Sequence, residues 1–255
     1  MVMRIAPALA LVMFLTVAAT CRAAAQPVQV DLELILAVDI SGSVDEDEAT
    51  LQRQGYLAAM SSPEVVAAVQ SGPLGRIAVA YVEWSGDDHQ ETLIDWAMVD
   101  DAESARAFVS GLADLPFRTG RWTSISAAID YSVALFDGNG YRGTRQVIDI
   151  SGDGYNNRGR QVTAARDDAV AAGITINGLP ILNKRPSPGG GWPAATNLDE
   201  YYEKNVIGGS GAFTVPAEGF DDFARAILAK LVLEIAGLTP EGDPERARHL
   251  AFFAE

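Results

Sequence analysis

Long apolar runs and amphipathic stripes alternate along most of this chain. A nearly continuous apolar run predicts a buried strand, because a strand covered on both faces has no polar side. The run at 32–38 is of this kind, and further strand-like runs lie at 75–86, 91–99, 145–151, 173–182 and 211–217, of which we expect 145–151 and 173–182 to be buried as well. A short polar turn separates the second run from the third, so we expect these two strands to pair antiparallel at an edge of the sheet.

Helix-like segments occupy the intervals between the strands. The segment 46–60 begins with an acidic cluster, which suits the positive end of a helix dipole. Two apolar stripes at steps of three and four predict further helices. They are formed by Ile125, Ile129, Val133 and Phe136, and by Phe220, Phe223, Ile227, Leu231 and Ile235. Alanine-rich segments at 102–113 and 160–172 predict two more.

Strands that alternate with helices indicate parallel βαβ units. We therefore predict a Rossmann-like α/β fold of three layers. Its central sheet is mostly parallel with one antiparallel edge strand, and helices cover both faces.

The two ends of the chain depart from this pattern. Residues 1–25 combine Arg4, a short apolar run and an Ala-Ala-Ala stretch, which predicts a cleaved export signal rather than a membrane span. Cys21 leaves a lipidated N-terminus open as an alternative, whereas ordinary cleavage removes the single cysteine and leaves no disulfide. We expect a periplasmic or secreted protein with one domain over 30–238 and a tail or short helix over 239–255.

The chain is strongly acidic. It has 34 Asp and Glu residues against 19 Lys and Arg residues, a net charge of −15. Loss of Arg4 and Arg22 with the signal would make this about −17. Such a surface repels phosphate backbones and anionic lipid, so we expect no nucleic-acid partner. We also expect no integral membrane segment after signal cleavage.

One polar stretch follows the first strand directly, with Asp39, Ser41 and Ser43 at alternate positions. Ser43 and Glu46 match a capping box, so a helix cap is one interpretation. A calcium EF-hand loop would need glycine and glutamate at its sixth and twelfth positions, where this sequence has valine and threonine. Neither the phosphate-loop nor the dinucleotide-binding glycine pattern occurs here.

Two later segments supply further oxygen atoms. Thr123 precedes a predicted helix, and Asp153 follows the strand at 145–151. Ligands gather at the carboxyl ends of strands in doubly wound sheets, so we expect these residues to meet Asp39 and the two serines on one rim. Oxygen ligands without histidine or cysteine favour Mg²⁺, with Mn²⁺ or Ca²⁺ as alternatives, over zinc.

The order Asp39-x-Ser41-x-Ser43, then Thr123, then Asp153-Gly resembles the von Willebrand factor type A (vWA) domain. It looks like that family's metal-ion-dependent adhesion site (MIDAS), within a group of exported bacterial single-domain members. The resemblance spans roughly residues 30–236. It implies that the serines and the threonine coordinate a divalent cation directly or through water, with the aspartates often acting through water. It also implies that an Asp or Glu of a protein partner completes the coordination.

Two positions differ from the simplest form of this pattern, and one further carboxylate lies nearby. Gly152 stands before Asp153, where the family commonly has threonine or another small polar residue, and Trp122 stands before Thr123, where it commonly has a small one. Asp149 could compete as a ligand, but its position within a strand favours a buried structural acid.

Basic and aromatic residues are expected around the same rim. The loops 39–45, 84–90, 118–123, 152–160 and 183–193 should lie there. Their basic residues are Arg118, Arg121, Arg158, Arg160, Lys184 and Arg185. We predict a surface for an acidic partner formed by Arg121, Trp122, Arg158, Arg185 and Trp192. The alternative is that these basic side chains are simply solvated.

Three functions remain open at this point, of which metal-dependent protein binding is favoured over catalysis. A metal-dependent hydrolase would activate water on the cation. The chain has two histidines, His89 and His249, neither in an evident base–nucleophile pairing, and it lacks a G-x-S-x-G nucleophile motif. A third possibility is a structural domain in which the metal only stabilises the loops.

Overall fold

The computed structural model describes residues 26–113, 115–183 and 195–240. The proposed signal segment 1–25 with Cys21 lies outside the described residues. The same is true of residues 184–194, which include Arg185 and Trp192, and of the tail beyond residue 240.

The described residues form seven strands. They are β1 (Val28–Val30), β2 (Leu32–Asp39), β3 (Ile77–Trp84), β4 (Gln90–Val99), β5 (Tyr141–Gly143), β6 (Gln146–Gly152) and β7 (Thr175–Pro180). Five of them make the central sheet in the order β4-β3-β2-β6-β7, and β1 pairs with β5 in a separate short ribbon. All neighbours in the central sheet are parallel except β3 and β4, which pair antiparallel as predicted.

Helices cover both faces of this sheet. They are α1 (Glu46–Met60), α2 (Pro63–Gln70), α3 (Ala102–Ala113), α4 (Ile125–Leu135), α5 (Val162–Ala171), α6 (Leu198–Tyr201) and α7 (Phe223–Ala236). A π-helical turn, Tyr202–Val206, continues α6, and a 3-10 turn, Phe220–Asp222, precedes α7. One core cluster joins α1, α2, α3 and α7 to the sheet, and the other joins α4, α5 and the π-helical turn. The predicted three-layer α/β architecture is confirmed.

The central strand β2 shows why a buried strand has an unbroken apolar sequence. Leu34 and Leu36 enter one core cluster, whereas Ile35 and Ala37 enter the other. Successive side chains of a strand point to opposite faces. Since helices cover both faces here, every position of β2 is buried.

Three details differ from the sequence prediction. The stretch 211–217 is not a regular strand, because its strand pairings are isolated bridges, one from Thr214 to Gly178 of β7 and one from Ala217 to Ile181 just after β7. The amide of Phe213 donates to the side chain of Asn177 instead. The helix α2 and the short β1–β5 ribbon were not predicted, and three-residue strands are too short for a periodicity to mark them.

Candidate metal centre

The structure brings the five predicted oxygen-bearing side chains together at the carboxyl edge of the sheet. Thr123 Oγ1 donates to Ser41 Oγ at 3.3 Å, and Ser41 Oγ lies 3.2 Å from Ser43 Oγ. Ser43 Oγ donates to Asp153 Oδ1 at 2.6 Å, and the Ser41 amide donates to Asp39 Oδ1 at 2.7 Å. Residues far apart in sequence therefore form one connected polar cluster.

Backbone hydrogen bonds hold the contributing loops in place. The amide of Ile40 donates to the Trp84 carbonyl at 2.9 Å, and the amide of Gly120 donates to the Ile40 carbonyl at 2.8 Å. Asn157 closes the third loop, because its side-chain oxygen accepts from the Thr123 amide while its own amide donates to the Thr123 carbonyl, both at 2.9 Å. Backbone hydrogen bonds at the edge of the sheet, together with the hydroxyl contacts, therefore hold Ser41 and Thr123 in position.

The helix cap near this cluster corrects one sequence interpretation. Asp45, not Ser43, caps α1: its side chain accepts from the Glu48 amide at 2.8 Å, and the Glu48 carboxylate accepts from the Asp45 amide at 3.1 Å. The capping box starting at Ser43 was therefore wrong by two residues. The Ser43 hydroxyl is directed to Asp153 instead, which leaves it part of the polar cluster.

Two carboxylates lie buried side by side in this cluster. Asp39 is fully buried and Asp153 nearly so. Burial, then repulsion from Asp153, raises the pKa of Asp39 well above its usual value, and burial raises the pKa of Asp153. Within the described ranges neither forms an ion pair with a lysine or arginine, and Asp39 Oδ2 has no hydrogen-bond partner. A buried carboxylate oxygen without a partner among the described residues suits a cation-binding site.

The composition of the cluster also bears on which cation fits. No group of three or more His, Cys, Asp and Glu side chains suited to a metal occurs in the part of the chain that the structure describes. The cluster instead offers two carboxylates and three hydroxyls. Hard cations with oxygen ligands suit such a set better than a zinc site with nitrogen or sulfur ligands.

Asp149, the other carboxylate near this strand end, has a different environment. It is fully buried, and Lys230 of α7 places its Nζ 2.6 Å from Asp149 Oδ1. Lys230 also lies 3.2 Å from Glu234 Oε1. Asp149 is therefore a buried structural acid that joins β6 to α7, as the sequence predicted.

Three of the five residues of the predicted partner surface lie among the described residues. Trp122 is 43% exposed and adopts a left-handed backbone with φ of 67°, and the Arg158 guanidinium lies 5.6 Å from its ring centre. Arg121 is exposed beside it and forms no ion pair with any described residue. Arg185 and Trp192 lie outside the described residues.

Three of the four described arginines of the expected basic ring form ion pairs, which corrects the sequence view of it. Arg158 pairs with Asp87, Arg118 with Glu91, and Arg160 with both Asp130 and Asp168. These acids come from other segments, so the loop sequences alone did not reveal the pairing. Among the described arginines of the rim, Arg121 is the one without a carboxylate partner.

Sequence reasoning missed Tyr202 as a neighbour of this cluster. Its side chain is fully buried, and burial followed by the charges of Asp39 and Asp153 raises the pKa of its hydroxyl well above the usual value. It begins the π-helical turn after α6, about fifty residues beyond Asp153. No spacing or motif in the sequence connects it with the cluster.

The fold is that of vWA domains. The chain superposes on proximal thread matrix protein 1 from the mussel byssus, in a structure with a zinc-occupied MIDAS motif, with a TM-score of 0.58 and 18% identity. That match covers 83% of this chain and 49% of the mussel protein, so the chain spans about half of its length. Two bacterial structures agree in fold. They are BatB from Bacteroides thetaiotaomicron (TM-score 0.53, 19% identity, 81% and 99% of the two chains) and a vWA protein from Catenulispora acidiphila (0.52, 13%, 82% and 42%).

The family follows from the sequence itself. The pattern of the family described as "Protein of unknown function (DUF1194)" matches residues 29–239, so the chain belongs to the DUF1194 family. No curated protein matches the chain. Within the described ranges, no helix combines the length and apolarity needed to cross a bilayer.

Proposed function

We propose that this protein is an exported vWA module that binds a protein partner through a divalent cation. Asp39, Ser41, Ser43, Thr123 and Asp153 would hold the cation, which is Mg²⁺ in the first place and Mn²⁺ or Ca²⁺ in the second. An Asp or Glu of the partner would complete its coordination. The observation that carries the proposal is the pair of buried carboxylates that form no ion pair with a described residue, of which one oxygen, Asp39 Oδ2, has no hydrogen-bond partner in the described ranges.

The energetics of burial favour a cation at this position. Each buried, uncompensated carboxylate costs several kcal/mol, and two adjacent ones also repel each other. A divalent cation balances both charges, while the three neutral hydroxyls add ligands without adding charge. Mg²⁺ takes six oxygen ligands and keeps several waters, so positions remain for a partner's carboxylate.

The surroundings of the cluster support a protein partner. Trp122 is a large aromatic side chain next to Thr123, exposed on the rim, and aromatic residues dominate the binding energy of many interfaces. Its left-handed backbone is strained for a residue with a side chain, and strain of this kind clusters at functional sites. Arg121 adds a positive charge without an ion-pair partner among the described residues, which suits an acidic partner.

Binding is favoured over hydrolysis by the local chemistry. The hydroxyls of Ser41, Ser43 and Thr123 contact one another and Asp153, and no described histidine donates to or accepts from them. A nucleophile would need such a base in reach. The export part of the proposal rests on the N-terminal sequence pattern.

Calorimetric titration of the mature chain tests the metal site. We expect Mg²⁺, Mn²⁺ and Ca²⁺ to bind, with Zn²⁺ included as a competitor, and we expect D39N and T123A to lose measurable binding. D31N is the matched control for D39N. Asp31 is also a buried acid, but it lies just before β2, at the end of that strand opposite Asp39, where it accepts a hydrogen bond from the Leu74 amide. T50A on the exposed side of α1 is the control for T123A. Unchanged affinity in D39N would remove the metal site.

Affinity capture from the cell-envelope fraction, with Mg²⁺ or with chelator, tests the partner. We expect capture only with the metal, and weaker capture by R121E. R142E is the control, because Arg142 is exposed on β5, away from the carboxyl edge of the central sheet. A partner that binds equally in chelator would contradict metal-dependent recognition.

A further inference from the structure

Two buried oxygen atoms without partners lie close together at the base of the polar cluster. One is Asp39 Oδ2 and the other is the Tyr202 hydroxyl, and both side chains are fully buried. A buried polar atom without a hydrogen bond costs free energy, and such atoms are rare in folded proteins. Their occurrence at the same place calls for a common explanation.

Gly152 shows how near the two oxygens are. A Cβ atom at this position would meet Asp39 Oδ2 at 2.8 Å and the Tyr202 hydroxyl at 3.0 Å. Both oxygens therefore lie within 3.0 Å of one point, and any side chain at position 152 would crowd both of them. Glycine at the end of β6 keeps that space clear.

A second glycine accommodates the tyrosine ring. A Cβ at Gly178 in β7 would meet Tyr202 Cδ1 at 2.7 Å. Gly152 and Gly178 lie on adjacent strands, in register with Pro180 and Ile150 respectively. The ring thus crosses both strands, and its hydroxyl ends beside the carboxylate of Asp39.

The chemistry of the two groups is complementary. A tyrosine hydroxyl has an ordinary pKa of about 10, so at neutral pH it can donate a hydrogen bond. A carboxylate oxygen has two lone-pair sites. Asp39 Oδ2 can therefore accept from Tyr202 and still face a cation, while Oδ1 accepts from the Ser41 amide.

We propose that Tyr202 is a positioning residue of the metal centre, which donates a hydrogen bond to Asp39 Oδ2 in the metal-loaded protein and so fixes the orientation of that carboxylate. Gly152 is the residue that permits this contact. The inference rests on the proposed metal site, and it names a residue from the π-helical turn that the five-residue motif does not contain. Groups that orient metal-binding side chains typically change metal affinity about 10- to 100-fold when they are removed.

The test compares Y202F with Y81F by Mn²⁺ and Mg²⁺ calorimetry and by thermal unfolding in chelator. In Y202F we expect metal affinity to fall about 10- to 100-fold. We expect its midpoint of unfolding in chelator to stay equal or rise, because the hydroxyl removed has no partner there. Tyr81 is equally buried in the middle of β3 and interacts with Arg53, so Y81F should lose stability in chelator but keep wild-type metal affinity.

A second variant, G152A, keeps the inference falsifiable if Y202F folds poorly. Its added Cβ should separate the two oxygens and weaken metal binding about as much as Y202F does. Wild-type affinity in Y202F or in G152A overturns the role of Tyr202 while the metal site itself stands. Parallel losses of stability and affinity in both tyrosine variants would mark a merely structural role. A wild-type chain that binds neither ion would instead overturn the proposed function, and this inference with it.

Discussion

The buried group formed by Asp149, Lys230 and Glu234 makes a quantitative prediction about pH. All three side chains are almost completely buried, and they contain two acids and one base. The two acids share this one base inside the protein, where an uncompensated charge is costly. Burial raises the pKa of Asp149 from 3.8 to about 7, although Lys230 opposes the shift.

Proton linkage gives the direction in which the free energy of unfolding changes with pH. Between about pH 4 and pH 7 the folded protein holds the proton of Asp149 and the unfolded chain does not. The contribution of this group to stability is therefore fully present below pH 4 and is lost as the pH rises through about 7. Three pKa units at about 1.4 kcal/mol each give a loss of about 4 kcal/mol in the free energy of unfolding.

The D149N variant removes this titration while keeping the size of the side chain. We expect urea unfolding in chelator, followed by circular dichroism from pH 4 to pH 8, to give a stability curve with a smaller slope than that of the wild type. Burial raises the pKa values of Asp39, Asp153, Glu48 and Glu83 as well, so both proteins should still lose stability with rising pH. The difference between the two curves isolates Asp149. Parallel curves would refute the reasoning.

Two further predictions concern local features near the metal centre. D45A should lower the free energy of unfolding by about 1 kcal/mol, measured by urea unfolding, because it removes the cap of α1. The control E46A removes an exposed acid from the first turn without touching the cap, so it should lower the free energy of unfolding by less. Equal losses in the two variants would contradict the assignment of Asp45 as the cap. W122G should be about 1 kcal/mol more stable than W122A in thermal unfolding, because the left-handed backbone at this position suits glycine better than alanine. Both variants should weaken partner capture. A more stable W122A would show that the backbone at this position is not strained.

Local patterns predicted most of the architecture. The strand-like runs located β2, β3, β4, β6 and β7. Strands buried on both faces, such as β2 and β3, leave an unbroken apolar signal, whereas β4 is a half-buried edge strand. The order of strands and helices was enough to predict parallel connections and a three-layer fold. The same patterns could not identify 211–217 as an irregular segment, since its pairing depends on where Asn177 of β7 directs its side chain.

The residues of the candidate site could be predicted from the sequence, but the ion pairs around the site could not. The motif around Asp39 and the later Thr123 and Asp153 are visible in the sequence, and the structure brings them together. The ion pairs of Arg118, Arg158 and Arg160 were not visible, because each joins segments distant in the chain.

The sequence by itself determined the type and order of the elements and supplied the oxygen atoms of the rim, since hydrophobic periodicity and short motifs are properties of neighbouring residues. The tertiary structure alone decided which charges are neutralised, which residue caps α1 and that the Tyr202 hydroxyl and Asp39 both lie next to Gly152. These outcomes depend on distances of a few ångströms between residues far apart in the chain, and such distances exist only once the sheet has formed and its helices have packed against it.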